Sequence, residues 1–295
     1  MRILRYRTAV ITGAGSGIGR ALALEMARYG MNLALVDINA PGLEQTRELI
    51  NNESITISSH VIDVTDVDAL KTLPTLVLSF HRTVDVLVNN AGVTCVKSFF
   101  EQSMQDFEWV MNVNFNAVVR GTKLFLPYLM RRPEAHIINI SSIFGIVGVP
   151  GQTSYCASKF AVRGFSEALQ EELINTPIGV TVVHPGGVAT RVVSDARTSD
   201  EALRDQMARA FERHAMHPDE AARLIVRALR KKRSRLVLTR EAILGDLIKR
   251  FFPIWGNRFF VRLLIRILGM KPMMDALHTR AYETESERPL PVEHE

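Results

Sequence analysis

Hydrophobic and polar positions along the chain follow two alternating periods. Short, largely β-branched apolar runs recur at residues 8–12 (TAVIT), 32–37 (NLALVD), 55–63 (ITISSHVID), 84–90 (VDVLVNN), 136–141 (HIINIS) and 180–185 (VTVVHP), with longer amphipathic stretches of helical period between them. A seventh short run, RLVLT, follows at 235–239. Strands separated by stretches long enough for a crossover helix predict parallel βαβ units. The runs are apolar almost throughout, as strands are when helices cover both faces of their sheet. The expected fold class is α/β, a doubly wound parallel sheet of about seven strands with a C-terminal helical appendix. No internal repeat or Pro/Ser-rich linker divides residues 1–240, which read as one domain carrying a lid at 190–217. Residues 241–282 read as a basic amphipathic helical appendix, and 283–295, acidic with two prolines, as a disordered tail.

Composition is that of an ordinary globular chain, 47% hydrophobic and 23% charged over 295 residues. With only two cysteines, Cys95 and Cys156, a disulfide framework is not expected and a reducing, cytoplasmic location is. No signal-peptide core follows Met1–Arg7, and no apolar window reaches the length of a spanning helix. The formal net charge of +5 is concentrated: residues 240–271 carry seven basic side chains against two acids. The rest of the chain is balanced, so a nucleic-acid partner is not indicated.

The first strand leads into VITGAGSGIGR, residues 10–20, with glycines at 13, 15, 17 and 19. Glycines there let the backbone approach a phosphate, and the following helix offers its free N–H groups to the anion. The second strand ends in Asp37, eighteen residues past Gly19, where a carboxylate can accept hydrogen bonds from the ribose hydroxyls of a dinucleotide. The same carboxylate would repel the 2′-phosphate of NADP, and the neighbouring Ser16 and Ile38 carry no charge to offset it. The cofactor read from these residues is NAD(H) in preference to NADP, on a Rossmann-like sheet.

SYCASKF, residues 154–160, sets Tyr155 and Lys159 on one face of a helix, one turn apart. An ammonium beside a phenol favours the phenolate and is expected to lower the tyrosine pKa toward the range of a general acid/base. Ser141 and Ser142 end the fifth long apolar run, thirteen residues and a Gly/Pro-containing loop before Tyr155. A serine hydroxyl at that strand end can converge with the phenol on one carbonyl oxygen. No His/Cys/Asp cluster has metal-ligand spacing, so no metal is expected. His60 and His184 read as structural imidazoles, Ser141 as a strand-end hydroxyl without a role, and Cys156 as inert.

TGxxxGxG at Thr12–Gly19, Asp37, Asp63-Val64, the NNAG run at 89–92, Asn114, Ser142, YxxxK at Tyr155 and Lys159, and the PG turn at Pro185-Gly186 occur in order. With these motifs, residues 6–240 resemble the short-chain dehydrogenase/reductase family. The resemblance implies an oxidoreductase acting on CH–OH groups, with Tyr155 as proton donor or acceptor. It implies that Lys159 tunes that tyrosine and holds the nicotinamide ribose, that Ser142 orients the substrate oxygen, and that Asn114 holds a water behind Lys159. Gly13, Ser16, Gly17, Ile18 and Gly19 would line the pyrophosphate turn, and Asp63 and Val64 would touch the adenine. Asn90, Ala91 and Gly92 would border the adenosine, while Pro185, Gly186, Val188 and Thr190 would meet the nicotinamide carboxamide and phosphates. Gly187 departs from the bulkier residue frequent in the family. A homodimer or homotetramer is implied as well.

Substrate choice is expected to rest on residues 143–151 and on the stretch between 190 and 217, read as a largely helical lid. Val192, Val193, Leu203, Met207 and Phe211 face Ile143, Phe144, Val147 and Val149 in this reading. The pocket they describe is apolar and suits a lipophilic alcohol or ketone such as a steroid, retinoid or acyl derivative. An NADPH-linked 3-oxoacyl reductase and a non-catalytic NAD-binding module are the rivals. In the appendix, Arg258, Arg262 and Arg266 form a stripe flanked by Phe259, Phe260, Leu263, Leu264, Ile267 and Leu268. Three readings of its wide apolar face stay open: peripheral membrane contact through 241–271, a cover or subunit contact, and packing on the parent domain.

Overall fold

The computed structural model describes Met1, residues 3–199, six positions between 201 and 209, and residues 215–267, with side chains as far as Leu263. All seven apolar runs form strands of one parallel sheet. They are β1 (Thr8–Thr12), β2 (Asn32–Asp37), β3 (Ile57–Val61), β4 (Val86–Asn89), β6 (Ala135–Ile140), β7 (Ile178–His184) and β9 (Arg235–Val237), in the order β3-β2-β1-β4-β6-β7-β9. The strand order reverses between β1 and β4, so the chain leaves these two neighbours in opposite directions and opens a crevice beyond their carboxyl ends.

Helices cover both faces, which is why β1, β4 and β6 are buried throughout, while the edge strand β3 alternates between buried and exposed positions. On one side α1 (Gly17–Arg28) and α7 (Pro218–Arg230) bury Leu22, Met26, Ile225 and Leu229 against the sheet. On the other, α3 (Val67–Phe80), α5 (Ala117–Leu129) and α6 (Thr153–Glu172) bury Leu73, Val77, Phe125 and Leu169. The helix α2 (Ala40–Leu49) is capped by Asn39, whose side chain accepts from the Gly42 N–H.

Polar groups inside the sheet are paired. Asn89 donates to Asn139 Oδ1 at 2.8 Å and to Thr122 at 3.1 Å, and Asn139 donates to Ser166 at 2.9 Å, so one amide ladder joins β4, β6, α5 and α6. At the opposite end Asp85, wholly buried, receives Arg7 at 2.8 Å, Arg132 at 2.9 Å and the Thr8 N–H at 2.9 Å.

Three features go beyond the sequence pattern. A two-stranded parallel pair joins β5 (Cys95–Val96) to β8 (Arg197–Thr198) inside the stretch read as helical lid. That segment is therefore extended at 197–198; Leu203, Met207 and Phe211 lie outside the described residues. Between α4 (Met104–Met111) and α5 a π-helical turn, Asn112–Asn116, widens the helix and turns Asn114 inward. Finally, α8 (Arg240–Phe251) and α9 (Gly256–Ile267) follow β9 and pack on the domain: Phe260 and Val261 join Ile146, Val147, Val149 and Cys156 in one cluster. Gly245 is needed there, since a Cβ would sit 2.7 Å from the Phe260 ring. Asn257 exchanges two hydrogen bonds with the Gly148 backbone, at 2.9 and 3.0 Å. The Arg266, Leu264 and Ile267 side chains, Leu268, Lys271 and the 283–295 tail lie outside the described side chains or residues. Among the described residues no helix is long and apolar enough to cross a membrane.

Replacing Asp85 by Ala would leave two arginines and a backbone N–H facing an empty buried site. The expected loss is about 3–5 kcal/mol of folding free energy, read as a lower midpoint in urea unfolding.

Candidate functional site

The crevice begins at the turn after β1. Gly13 and Gly17 lie at φ +68° and +53°, a region costly for a side chain bearing Cβ, and a Cβ on Gly19 would collide with the Gly13 carbonyl. Thr12 holds the turn from below: its hydroxyl accepts from the Asn90 and Ala91 N–H groups at 3.0 and 3.1 Å, and the Asn90 amide donates to the Thr12 carbonyl at 2.9 Å. The Ser16 side chain makes no capping bond at the start of α1, so the N–H groups of the first turn face outward. Thr190 lies beside Gly17, 3.1 Å from where a Cβ would stand. A groove of about 920 Å³ runs over this turn, lined among others by Ser16, Arg20, Gly42, Thr190 and His217.

Asp37 points at the turn from the end of β2, and its two oxygens accept from Gly15 N at 2.8 Å and Asn39 N at 2.9 Å. Each oxygen keeps a lone pair for a further donor. Asp63 closes a local turn, accepting from the Thr65 backbone and hydroxyl at 2.8 and 2.7 Å, and Val64 is buried with Val113 and Ala117. Pro185 accepts from Ile143 N at 2.7 Å, a Cβ on Gly186 would collide with the Thr239 and Glu241 side chains, and Val188 pairs with Met216. Gly187 is held by Glu241 and Met216 through its backbone.

At the end of β6 the side chains of Ser142, Tyr155 and Lys159 come together. Lys159 is 3% exposed; its ammonium donates to the Ile140 carbonyl at 3.0 Å and lies 5.6 Å from the centre of the Tyr155 ring. Ser141, given no role by the sequence, donates to the Lys159 carbonyl at 2.8 Å and so fastens α6 to the strand end. Asn114 is wholly buried, with its amide bonded to Val93 in both directions at 2.8 and 2.9 Å and to Ser158 at 3.0 Å. Gly92 brings the backbone against this pair: a Cβ would stand 3.3 Å from Asn114 Oδ1 and 3.4 Å from Lys159 Nζ. Phe144 packs edge-on against the Tyr155 ring at 6.0 Å.

The electrostatics differ from the sequence expectation of an acidified phenol. Burial pushes Tyr155 up to about 12, against a smaller opposing effect of the Ser142 hydroxyl, and burial pushes Lys159 down to about 8. The lysine is itself short of water and directs its ammonium to Ile140, so desolvation outweighs attraction between the two in the ligand-free chain. Cys156 turns away into the 147–149 loop, where burial raises its thiol pKa.

Other contacts had no signal in the sequence. The wholly buried His184 ring lies 3.1 Å from the Ser142 carbonyl, and burial pushes it down to about 4, so it is neutral and presents Nδ1–H to that carbonyl. Thr94 donates to Gln152 at 2.7 Å and Gln102 to Ser154 at 2.6 Å. Asp106 takes Lys97 at 2.7 Å and Arg197 at 3.0 Å, with Arg197 stacked 3.7 Å over Trp109, which ties β8 to α4. Val147 and Val149, read as pocket lining, are buried against α8 and α9 instead. Among the described residues no group of three or more His, Cys, Asp or Glu could hold a metal.

The family model for short chain dehydrogenases matches residues 7–201. SadH of Mycobacterium tuberculosis, named as an oxidoreductase, is 41% identical over 248 residues, which cover 83% of this chain and 90% of that one. The 3-oxoacyl-(acyl-carrier-protein) reductase FabG of Thermotoga maritima is 32% identical over 223 residues, 76% of this chain and 90% of that one. A crystal structure of a short-chain dehydrogenase/reductase from Burkholderia phymatum in complex with NAD superposes with a TM-score of 0.80 at 30% identity, covering 86% of this chain and 96% of that one. The chain belongs to the short-chain dehydrogenase/reductase family and is an oxidoreductase acting on CH–OH or keto groups.

The lysine's depressed pKa has a measurable consequence. Between about 8 and the ordinary value of 10.5 the unfolded chain binds a proton at Lys159 that the folded chain does not. Stability therefore rises with pH through this window and is lowest, for this group, below it. Relative to Lys159→Met, the wild type should gain roughly 1–3 kcal/mol between pH 8 and 10, measured by urea unfolding.

Proposed function

We propose that this chain transfers a hydride between NAD(H) and a secondary alcohol or ketone of lipophilic character, with Tyr155 as general acid/base. The observation that carries the reading is the convergence of Ser142, Tyr155 and Lys159 at the end of β6, beside a glycine turn whose backbone a Cβ would block. The residues fit the cofactor. Gly13, Gly17 and Gly19 leave room for the pyrophosphate with Ser16 and Ile18 at the α1 N-terminus, and Asp37 supplies the acceptor for the ribose hydroxyls. Asp63, Val64, Asn90, Ala91 and Gly92 border the adenosine, and Pro185, Gly186, Val188 and Thr190 the nicotinamide end. A bound NAD+ would supply the hydride acceptor at this end of the groove.

In the oxidising direction the alcohol oxygen sits between Ser142 and Tyr155, passes its proton to the tyrosinate, and becomes the carbonyl oxygen as the carbon loses hydride. Ser142 donates to that oxygen and fixes its position, held in turn by the imidazole of His184 on its own carbonyl. Lys159 stabilises the tyrosinate and holds the nicotinamide ribose, and Asn114 anchors the polar path behind it. Reduction runs the same steps backwards.

Phe144 packed edge-on against the Tyr155 ring supports the lipophilic substrate. Of the polar side chains nearby, Thr94 and Gln152 are paired with each other. A second reading, an NADPH-linked 3-oxoacyl reductase, draws on the similarity to FabG, and the Asp37 carboxylate weighs against it.

A screen of NAD+ reduction over 2-alkanols of increasing length tests the proposal. Burying one CH2 contributes about 0.8 kcal/mol, so kcat/KM should climb roughly fourfold per carbon until the pocket is filled. Tyr155→Phe should lower kcat by about a hundredfold or more with NAD+ affinity retained. A length-independent rate would remove the lipophilic substrate, and activity only with NADPH and 3-oxoacyl thioesters would favour the second reading.

A further inference from the structure

The outer surface of α8 and the corner joining it to α9 present an apolar face that no described residue covers. Ile243, Leu247 and Phe251 form an exposed stripe at i, i+4 and i+8 on α8, while Ala242, Gly245 and Asp246 on the other side of the same helix are buried. At the corner Ile254 and Trp255 are 80% and 78% exposed, with Phe252 beside them. Phe259, one turn beyond Trp255 and hydrogen-bonded to it through the backbone, continues the patch onto α9. Large aromatic side chains at such exposure are costly in water and mark a contact.

The charges around the patch say which contact. Arg240, Arg258 and Arg262 are exposed and Lys249 is half-buried, and none of the four has an acidic partner among the described residues. The two acids of this segment are already engaged: Asp246 takes Arg235 and Arg250, and Glu241 accepts from Gly187 N. A second copy docked face to face would set two such cationic rims against each other in a low-dielectric contact. An anionic lipid surface instead accepts the apolar corner below the head groups and pairs its phosphates with the basic rim.

We propose that the α8–α9 corner docks this protein on the surface of an anionic bilayer, with Trp255, Ile254 and Phe251 inserted at the level of the head groups. The geometry links docking to the site. The buried side of α9, through Phe260 and Val261, packs on Ile146, Val147 and Cys156, and Asn257 holds Gly148, so the corner is joined to the loop between Ser142 and Tyr155. Docking there would act on the site through this loop. The docking claim stands on the corner's own residues and does not depend on the substrate reading.

The test is co-sedimentation of the full chain with vesicles of phosphatidylcholine alone and of phosphatidylcholine with 30% phosphatidylglycerol, alongside fluorescence of a Trp109→Phe variant that leaves Trp255 as the sole tryptophan. The proposal expects about tenfold or more stronger binding to the anionic vesicles, reversal by high salt, and a blue shift of Trp255 emission on binding. Trp255→Ser with Phe251→Ser should abolish binding without lowering the unfolding midpoint, because both side chains are exposed; Arg258→Gln with Arg262→Gln should weaken it on anionic vesicles alone. Protein that stays in the supernatant with anionic vesicles, or serine variants that change the oligomer instead of vesicle binding, would overturn it. If vesicle binding appears only after residues 283–295 are removed, the acidic tail is the occupant of the patch and the bilayer proposal fails for the full chain. Each of these results is obtained without substrate and is distinct from the alkanol screen.

Discussion

Lys159 is the hinge on which the site's geometry turns. Its ammonium bonds the last carbonyl of β6 and its own carbonyl receives Ser141 from the next residue of that strand end, so one residue of α6 is tied to the sheet at both of its polar ends. An aliphatic side chain could fill the same volume, but it would leave the Ile140 carbonyl without its donor. A lysine this deeply buried is costly, and its depressed pKa is the sign of that cost. The stability forgone there fixes where Tyr155 stands relative to Ser142.

The same burial governs the tyrosine. A phenol and an ammonium one turn apart suggest an acidified phenol when only spacing is considered. In the folded chain the pair sits in a site poor in water, and desolvation moves each group toward its neutral form. A further positive charge, such as a bound oxidised nicotinamide would bring, would move the phenol back toward ionisation.

How much could be read from the chain beforehand depended on the range of the interactions. The seven strands, the glycine turn and the order of the motifs are local patterns and were legible because both-sided burial leaves an uninterrupted apolar run, as in β4 and β6. The β5–β8 pair was not, since two-residue strands carry no period and Arg197 gives no sign that it will stack on Trp109. The place of Asn114 behind Lys159 came from the family resemblance and not from the helical period, because its inward turn depends on a π-helical widening between α4 and α5. The appendix showed its amphipathic character, but which of its apolar residues would be covered needed the fold: Phe260 and Val261 are buried while Phe259 and Trp255 stay in solvent.

The dominance of burial over ion pairing at Tyr155 is most directly tested by ultraviolet titration of the phenol, taking the difference between wild type and Tyr155→Phe, with and without NAD+. The account predicts ionisation near 12 in the free protein, and a fall of about one unit or more when NAD+ is bound. A phenol that already ionises at or below its ordinary value of 10 without cofactor, or one that NAD+ does not shift, would contradict it.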